Sequence, residues 1–316
     1  MTIVPLQEVA EYQVCEALQG IIWQADPVEV VPAHLLITAQ RHGGLVLGAF
    51  DSAGRMVGTL FGFPARVAPD NRLTTGLEWE HCSHFMGVVP EWRGRSVGHL
   101  LKLAQREWAL AQGYELVTWT YDPLEAANAT LNLGKLGAAC RCYLRDFYGE
   151  MAEGINVGLP TDRFEVAWWI GSPRVTQRVA QGWARPSLAA LLEGGAQVLN
   201  PARPRPDGLL EPGPLRAPAG ERVLVEIPAS IQAVKAASLD LALAWRLSVR
   251  AACETAFEAG YVAEDVVWGE DGGRVYYVLR VASCELGIAN RERLSWRVIR
   301  NSQFLIRTFQ GGEDVY

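Results

Sequence analysis

The stretch from Glu80 to Gly113 admits few structures. Glu80 to Val89 is a strand-length run that Pro90 must end, because proline has no amide hydrogen to give to a ladder. Beyond the turn, Val97, Leu100, Leu101, Ala104, Trp108 and Ala111 recur at helical spacing as far as Gly113, a helix stop. Only Glu91-Trp92-Arg93-Gly94-Arg95-Ser96 separates Pro90 from that helix. Such a joint leaves the first amides of the helix without intrahelical acceptors, at the positive end of the helix dipole. That is an anion site suited to a phosphate or diphosphate. Gly94 and Gly98 let the backbone approach a ligand closely, and Arg93 and Arg95 add charge. No GK[ST] follows and the glycines do not form GxGxxG, so neither common nucleotide loop is present. A plain strand–turn–helix joint with incidental glycines stays open at this point.

The neighbouring sequence alternates strands and helices. Residues 3–24 read as a short strand and a helix. Leu45 to Phe50 and Met56 to Phe63 read as a hairpin about Asp51-Ser52-Ala53-Gly54. Leu116 to Tyr121 is a strand ended by Asp122-Pro123, and Leu124 to Leu136 a helix ended by Gly137. Six prolines between Pro201 and Pro218 mark the stretch 186–221 as a linker. Past it come a strand from Val223 to Ile227, a long helix from Leu239 to Gly260, and a hairpin of Val262 to Trp268 with Arg274 to Val281. Trp92-Arg93 before a helix and Gly113-Tyr114 after it are echoed by Trp245-Arg246 and Gly260-Tyr261, either a degenerate duplication or a coincidence.

Charge narrows the partners. A net charge of −6 with no basic run interleaved with aromatics argues against nucleic acid. No stretch reaches the roughly 18 apolar residues of a membrane span, and the N-terminus lacks a basic region before an apolar one. The six cysteines, Cys15, Cys82, Cys140, Cys142, Cys253 and Cys284, form no CxxC pair and no metal-ligand spacing. The expectation is a cytoplasmic protein with free thiols, no metal, no nucleic acid and no membrane.

The loop segment resembles motif A of the GNAT N-acetyltransferase superfamily, [QR]-x-x-G-x-[GA] after V-x-P. Here it reads Arg93-x-x-Ser96-x-Gly98 after Val88-x-Pro90. Asn128-Ala129 and Asn132-Leu133-Gly134-Lys135-Leu136-Gly137 are similar to the family's last helix, N-x-x-A-x-x-L-Y-x-K-L-G. The resemblance covers residues 45 to about 140. Stretches around Trp119 to Leu124, Gly158 to Arg163 and Trp245-Arg246 are similar to a little-characterised branch with a long C-terminal extension. Ser96 stands where the motif has its first glycine. Leu133 stands where many members carry a general-acid tyrosine.

The resemblance implies an α/β (α+β) GNAT fold, a central mixed, mostly antiparallel sheet flanked by helices, followed by a C-terminal α+β domain. The expected boundaries are a catalytic domain 1–185, a linker 186–221, and a domain 222–316 readable as a degenerate GNAT-like half. It also implies direct transfer of an acyl group from acetyl-CoA or another acyl-CoA to the amine of a small molecule or amino acid. A protein N-acetyltransferase and a non-catalytic acyl-CoA-binding module are the alternatives, and a homodimer is one role open to the C-terminal part.

For the site, the resemblance implies that backbone groups near Met86 and Val88 hold the pantetheine and polarise the thioester. Arg93, Gly94, Arg95, Ser96, Val97, Gly98 and His99 would form the diphosphate loop, and Asn128 and Asn132, one turn apart on a shared face, would bind pantetheine amides. Strand alternation puts Glu80, Cys82, His84 and Met86 on one face, with His81 on the other. His84 is the stronger candidate base, since imidazole titrates near neutral pH, and Glu80 the second. Each also has a purely structural reading, as a hydrogen-bonded histidine and a salt-bridged carboxylate. Tyr121 is a candidate acid or pocket residue, with Tyr143 and Tyr148 behind it. Arg163 could grip a carboxylate two-pronged or join a surface ion pair. The Trp168-Trp169 pair reads as core. The tail from Gly287 to Tyr316, carrying Arg291, Arg293, Arg297, Arg300 and Arg307, reads as a docking arm or a solvated helix.

Overall fold

A computed structural model describes residues 1–24, 27–67, 77–149, 158–270 and 272–282. The basic tail and Cys284 lie outside them. The described residues fall into two compact units: 1–67 with 78–119, and Leu77 with 120–282.

The first unit contains β1 (Thr2–Pro5), α1 (Val9–Trp23), α2 (Ala33–Arg41), β2 (Leu45–Phe50), β3 (Met56–Arg66), β4 (Trp79–Val88), α3 (Val97–Ala111) and β5, which begins at Leu116 and ends at Tyr121. Its strands lie in the order β1-β2-β3-β4-β5, antiparallel until β4 meets β5 in parallel. Helix α1 starts at a capping box, Glu11 accepting from the amides of Gln7 (2.8 Å) and Glu8 (3.1 Å). It lays Tyr12, Cys15, Leu18 and Ile22 against Leu36 of α2 and Val46, Met56 and Phe61 of the sheet. Each such fully buried aliphatic side chain stabilises by about 1.5–3 kcal/mol. α3 covers the opposite face, and Gly58 lets it approach: a Cβ there would meet Val97 at 3.2 Å and Leu101 at 3.3 Å.

The second unit contains α4 (Ala126–Ala129), which runs into a π-helical segment (Thr130–Lys135), then β6 (Ala139–Leu144), β7 (Arg163–Trp169), α5 (Pro173–Gln181), α6 (Leu188–Glu193), β8 (Gln197–Val198), β9 (Ala202–Pro204) and β10 (Leu210–Pro212). It ends with β11 (Arg222–Pro228), α7 (Ile231–Ala237), α8 (Leu239–Glu258), β12 (Tyr261–Trp268) and β13 (Arg274–Val281). Strand order here is β7-β6-β12-β13-β11-β8, antiparallel except for β11 with β8, and β9 and β10 pair separately. The fold is therefore α+β, with mixed, mostly antiparallel strands and helices.

Two expectations about organisation change. The proline-rich stretch is not a linker. β8 joins β11. Asn200 donates to the Glu226 carbonyl at 2.9 Å and accepts from its amide at 2.8 Å, and the Trp245 indole donates to the Leu210 carbonyl. The compact units divide within β5, between Trp119 and Thr120, so residues 120–185 group with the C-terminal part. The Trp-Arg echo is not structural either, since Trp245 and Arg246 lie inside α8 whereas Trp92 and Arg93 precede α3. Among the described residues no helix is long and apolar enough to cross a membrane.

Candidate functional site

The edge of β4 is the first component. The Val89 amide donates to the Val57 carbonyl at 3.0 Å, which makes Val57 and Val89 a hydrogen-bonded pair. Alternation along the antiparallel ladder then puts Gly58↔Val88 and Leu60↔Met86 at non-hydrogen-bonded positions. The amides and carbonyls of Met86 and Val88 therefore turn away from β3, toward the side on which β5 lies. Among the described residues β5 meets β4 only at His81↔Val117 and Cys82↔Thr118. The ladder ends at Cys82, and the polar edge at Met86 and Val88 is left outside it.

The turn is the second component. Pro90–Trp92 forms one turn of 3-10 helix, and Gly94 then takes φ +76° with nothing within 4 Å of where a Cβ would sit. Arg93 has a structural role, its Nε donating to the Val88 carbonyl at 3.2 Å and its Nη2 to the Ile22 carbonyl at 3.0 Å. The exposed Arg95 lies over the Trp92 ring at 5.1 Å. Ser96 caps α3 in the left-handed region, φ 60° and ψ 9°, with no side-chain bond to the helix. This is the backbone state that glycine adopts most readily, which accounts for the glycine expected there. The amides of Val97, Gly98 and His99 open the helix beyond it, where no intrahelical acceptor precedes them. An open turn, a helix N-terminus and a strand edge outside the β4–β5 ladder, in one continuous segment, fit the diphosphate and pantetheine of an acyl-CoA, although the Val88 carbonyl is already taken by Arg93.

The candidate base is set by a bulge. Phe61 lies opposite Phe85 but Phe63 lies opposite Cys82, so β4 carries one extra residue between them. Glu80 and Cys82 share the face of Phe63, and the His84 ring packs near Phe61 (5.8 Å), Phe63 (5.9 Å) and Phe85 (6.0 Å). Met86, beyond the bulge, falls on the other face, contrary to simple alternation. His84 is exposed to solvent, while desolvation by the neighbouring phenyl rings pushes the imidazole below its ordinary pKa. Glu80 is buried and accepts from Thr118 Oγ1 at 2.8 Å, so its carboxylate serves the β4–β5 junction rather than an incoming amine.

Two further expectations are corrected in the second unit. Tyr121 is buried, its hydroxyl donates to Tyr277 at 3.2 Å, and burial pushes the phenol well above its usual pKa, so it is no proton donor to substrate. Asn128 is exposed whereas Asn132 is buried, so the two do not share a face. The cause is the change of winding at Thr130, where the π-type bond from the Leu136 amide to the Leu131 carbonyl spans five residues. Leu133 is fully buried. Trp168 is core, as expected, its indole donating to the Leu136 carbonyl at 2.8 Å. Among the described residues no group of metal-ligating side chains forms.

One cluster escaped the sequence reading. Lys102 of α3 is buried against β4 and β5, its Nζ donating to Ser83 Oγ (2.8 Å) and Gln105 Oε1 (3.1 Å) and lying 3.6 Å from the Trp119 ring centre. No carboxylate among the described residues pairs with it, and burial holds the amine well below its ordinary pKa. His81 packs beside it between Trp108 and Tyr114, and burial with the Lys102 charge pushes its imidazole down to about 3. The signal was present: the buried stripe of α3 runs Val97, Leu101, Lys102, Gln105, Trp108 and Ala109, with two polar residues at apolar spacing. A cavity of about 410 Å³ lined by Gly43, Pro64, Trp79, Gln112 and Tyr114 lies at the far end of α3 and is not part of this site.

No family model matches the chain, and no curated protein is significantly similar to it. Solved acetyltransferase structures match about half of it, and the remainder is additional. The ribosomal-protein-S18-alanine N-acetyltransferase from Escherichia coli is 16% identical, with a TM-score of 0.40 over 54% of this chain and 94% of that one. An acetyltransferase of the GNAT family from Streptococcus pneumoniae is 15% identical, with a TM-score of 0.41 over 54% and 98%. Aminoglycoside 6'-acetyltransferase type Ii is 15% identical, with a TM-score of 0.39 over 54% and 97%.

Proposed function

We propose that the protein is an acyl-CoA-dependent N-acyltransferase that passes an acyl group directly to the amine of a small molecule or amino acid. The observation that carries this reading is the polar edge of Met86 and Val88, left unpaired by β5 and continuous with the glycine turn and the first amides of α3. Those amides would neutralise a diphosphate, and the strand edge would align a pantetheine and polarise the thioester carbonyl at its end. His84, neutral at pH 7 because its pKa is lowered, would take the proton as the amine attacks. The C–N bond forms as the C–S bond breaks, and the departing thiolate takes its proton from water, since Tyr121 and Leu133 offer none.

Mixing the protein with acetyl-CoA or succinyl-CoA and a panel of amines should release free CoA thiol. Gly98→Glu, which sets a carboxylate in the anion site, should abolish CoA binding while leaving the circular dichroism unchanged. Unaltered CoA affinity in that variant would sink the loop assignment. Tight CoA binding with no thiol release across the panel would favour a binding module, the reading that the buried Leu133 and Tyr121 support.

A further inference from the structure

We propose that Arg163 and Tyr148, in the second unit, form a binding site for a small carboxylate carried on an aromatic body. The site goes beyond the acyl-CoA reading and does not depend on it.

Three guanidiniums and two carboxylates gather where β5, β7 and α8 meet. Arg246 holds Asp122 two-pronged at 2.8 and 2.5 Å, and Arg250 holds Asp162 at 2.8 and 2.7 Å. Asp162 also accepts from the Tyr143 hydroxyl at 2.7 Å and from the Asp146 amide at 3.0 Å. Both carboxylates are thus already occupied. Glu125 and Lys235 flank the group with opposite charges, Arg145 is paired with Glu254, and the Asp146 carboxylate accepts from Thr161.

Arg163 is the most loosely paired of the three cations. Its side chain is only 9% exposed, yet its nearest carboxylate oxygen, on Asp122, is 3.7 Å away. Nη1 donates to the Asp162 carbonyl at 3.1 Å, and that is the one hydrogen bond its guanidinium makes to the described residues. A guanidinium cannot shed its proton, so this largely desolvated charge keeps two donors for an anion from outside. A carboxylate fits that fork two-pronged.

The surroundings select its body. Tyr148 lies over the guanidinium at 5.1 Å and is 51% exposed. Its hydroxyl is fixed to Thr120 Oγ1 at 3.1 Å, and Phe147, 49% exposed, packs edge-on against it at 4.8 Å. An exposed aromatic pair beside a half-satisfied guanidinium offers a stacking wall and an anion fork together.

The test is calorimetric titration of the whole protein, without CoA, with benzoate, acetate and uncharged benzamide. Benzoate should bind saturably, about tenfold more tightly than acetate, and benzamide should not bind. Arg163→Gln should remove benzoate binding, and Arg163→Lys, which keeps charge without the fork, should weaken it at least tenfold. Tyr148→Ala alters an exposed ring, so folding should survive while the preference for benzoate over acetate disappears. Absence of benzoate binding to the wild type, equal binding of benzamide, or unchanged affinity in folded Arg163→Gln or Tyr148→Ala protein would overturn the proposal.

Discussion

The two units bury ionisable groups by opposite means. In the first, the bases Lys102, His81 and His84 all have pKa values lowered by burial, among hydroxyl, amide or aromatic neighbours and with no carboxylate among the described residues paired to Lys102. In the second, the Arg246–Asp122 and Arg250–Asp162 pairs keep their charges. Burial alone would lower the Arg246 pKa, but Asp122 outweighs it and the net shift is upward. Burial would likewise raise Asp162, yet Arg250, the Asp146 amide and Tyr143 hold it below the usual carboxylate range. The difference teaches what each unit suits. Bases with lowered pKa values need no counter-ion, whereas paired ions fix helices to strands and leave the loosely paired Arg163 guanidinium conspicuous.

Breaking a pair should separate the units most sharply. Asp122→Ala leaves Arg246 charged, 1% exposed and unpartnered on its carboxylate side, a change that costs about 3–5 kcal/mol. Urea unfolding should show that loss, and a cost under about 1 kcal/mol would mean the pair is incidental.

The next largest effect tests the neutral base. His84 titrates below 6.5 because burial penalises its cation. Turnover should therefore stay level through neutral pH and fall only as pH drops through that lowered value. His84→Gln should reduce kcat by roughly 10²–10⁴-fold and remove this acid limb, with CoA affinity unchanged. A variant that keeps the limb would assign it to another group.

Lys102→Met addresses the same contrast through stability. The folded pKa of Lys102 lies below the 10.5 of the unfolded chain. Between those values the unfolded state binds more protons, so the wild type loses stability as pH falls through that window and stays penalised below it. The variant should be more stable by about 1–4 kcal/mol at pH 7, as when apolar residues replace buried ionisable ones. Ser83 and Gln105 remain bonded to each other at 3.2 Å. The gain should shrink toward pH 10, and a gain independent of pH would show that Lys102 is buried at no ionisation cost.

The sequence carried the strand–turn–helix joint clearly, because the change from strand to helical period across Pro90 and Gly94 is local. The backbone roles of Met86 and Val88 were implied by resemblance alone, and the Val57–Val89 bond shows that their amides and carbonyls turn away from β3. What stayed hidden depends on partners distant in sequence. The β4 bulge is visible only against Phe61 and Phe63, so Met86 was assigned to the wrong face. The π winding after Ala129 separated Asn128 from Asn132 although their spacing suggested a shared face. Pro204 and Pro212 belong to a stretch read as linker from its density of prolines, yet they end the paired strands β9 and β10, where edge positions tolerate proline.

The smallest effect returns to the loop, where two residues adopt positive φ with different side chains. Gly94 does so freely, whereas Ser96 holds φ 60° with a Cβ and no capping bond in return. Left-handed backbone costs a non-glycine residue about 1–2 kcal/mol, partly offset here by the extra freedom glycine brings to the unfolded chain. Ser96→Gly should therefore raise stability by about 0.5–1 kcal/mol, read as a shift of the urea midpoint at constant slope. CoA affinity should hold, because the amide at 96 remains. If instead the variant binds CoA more weakly, the Ser96 hydroxyl is itself a ligand to the anion, and the serine contributes a donor that the glycine of the resembled motif cannot.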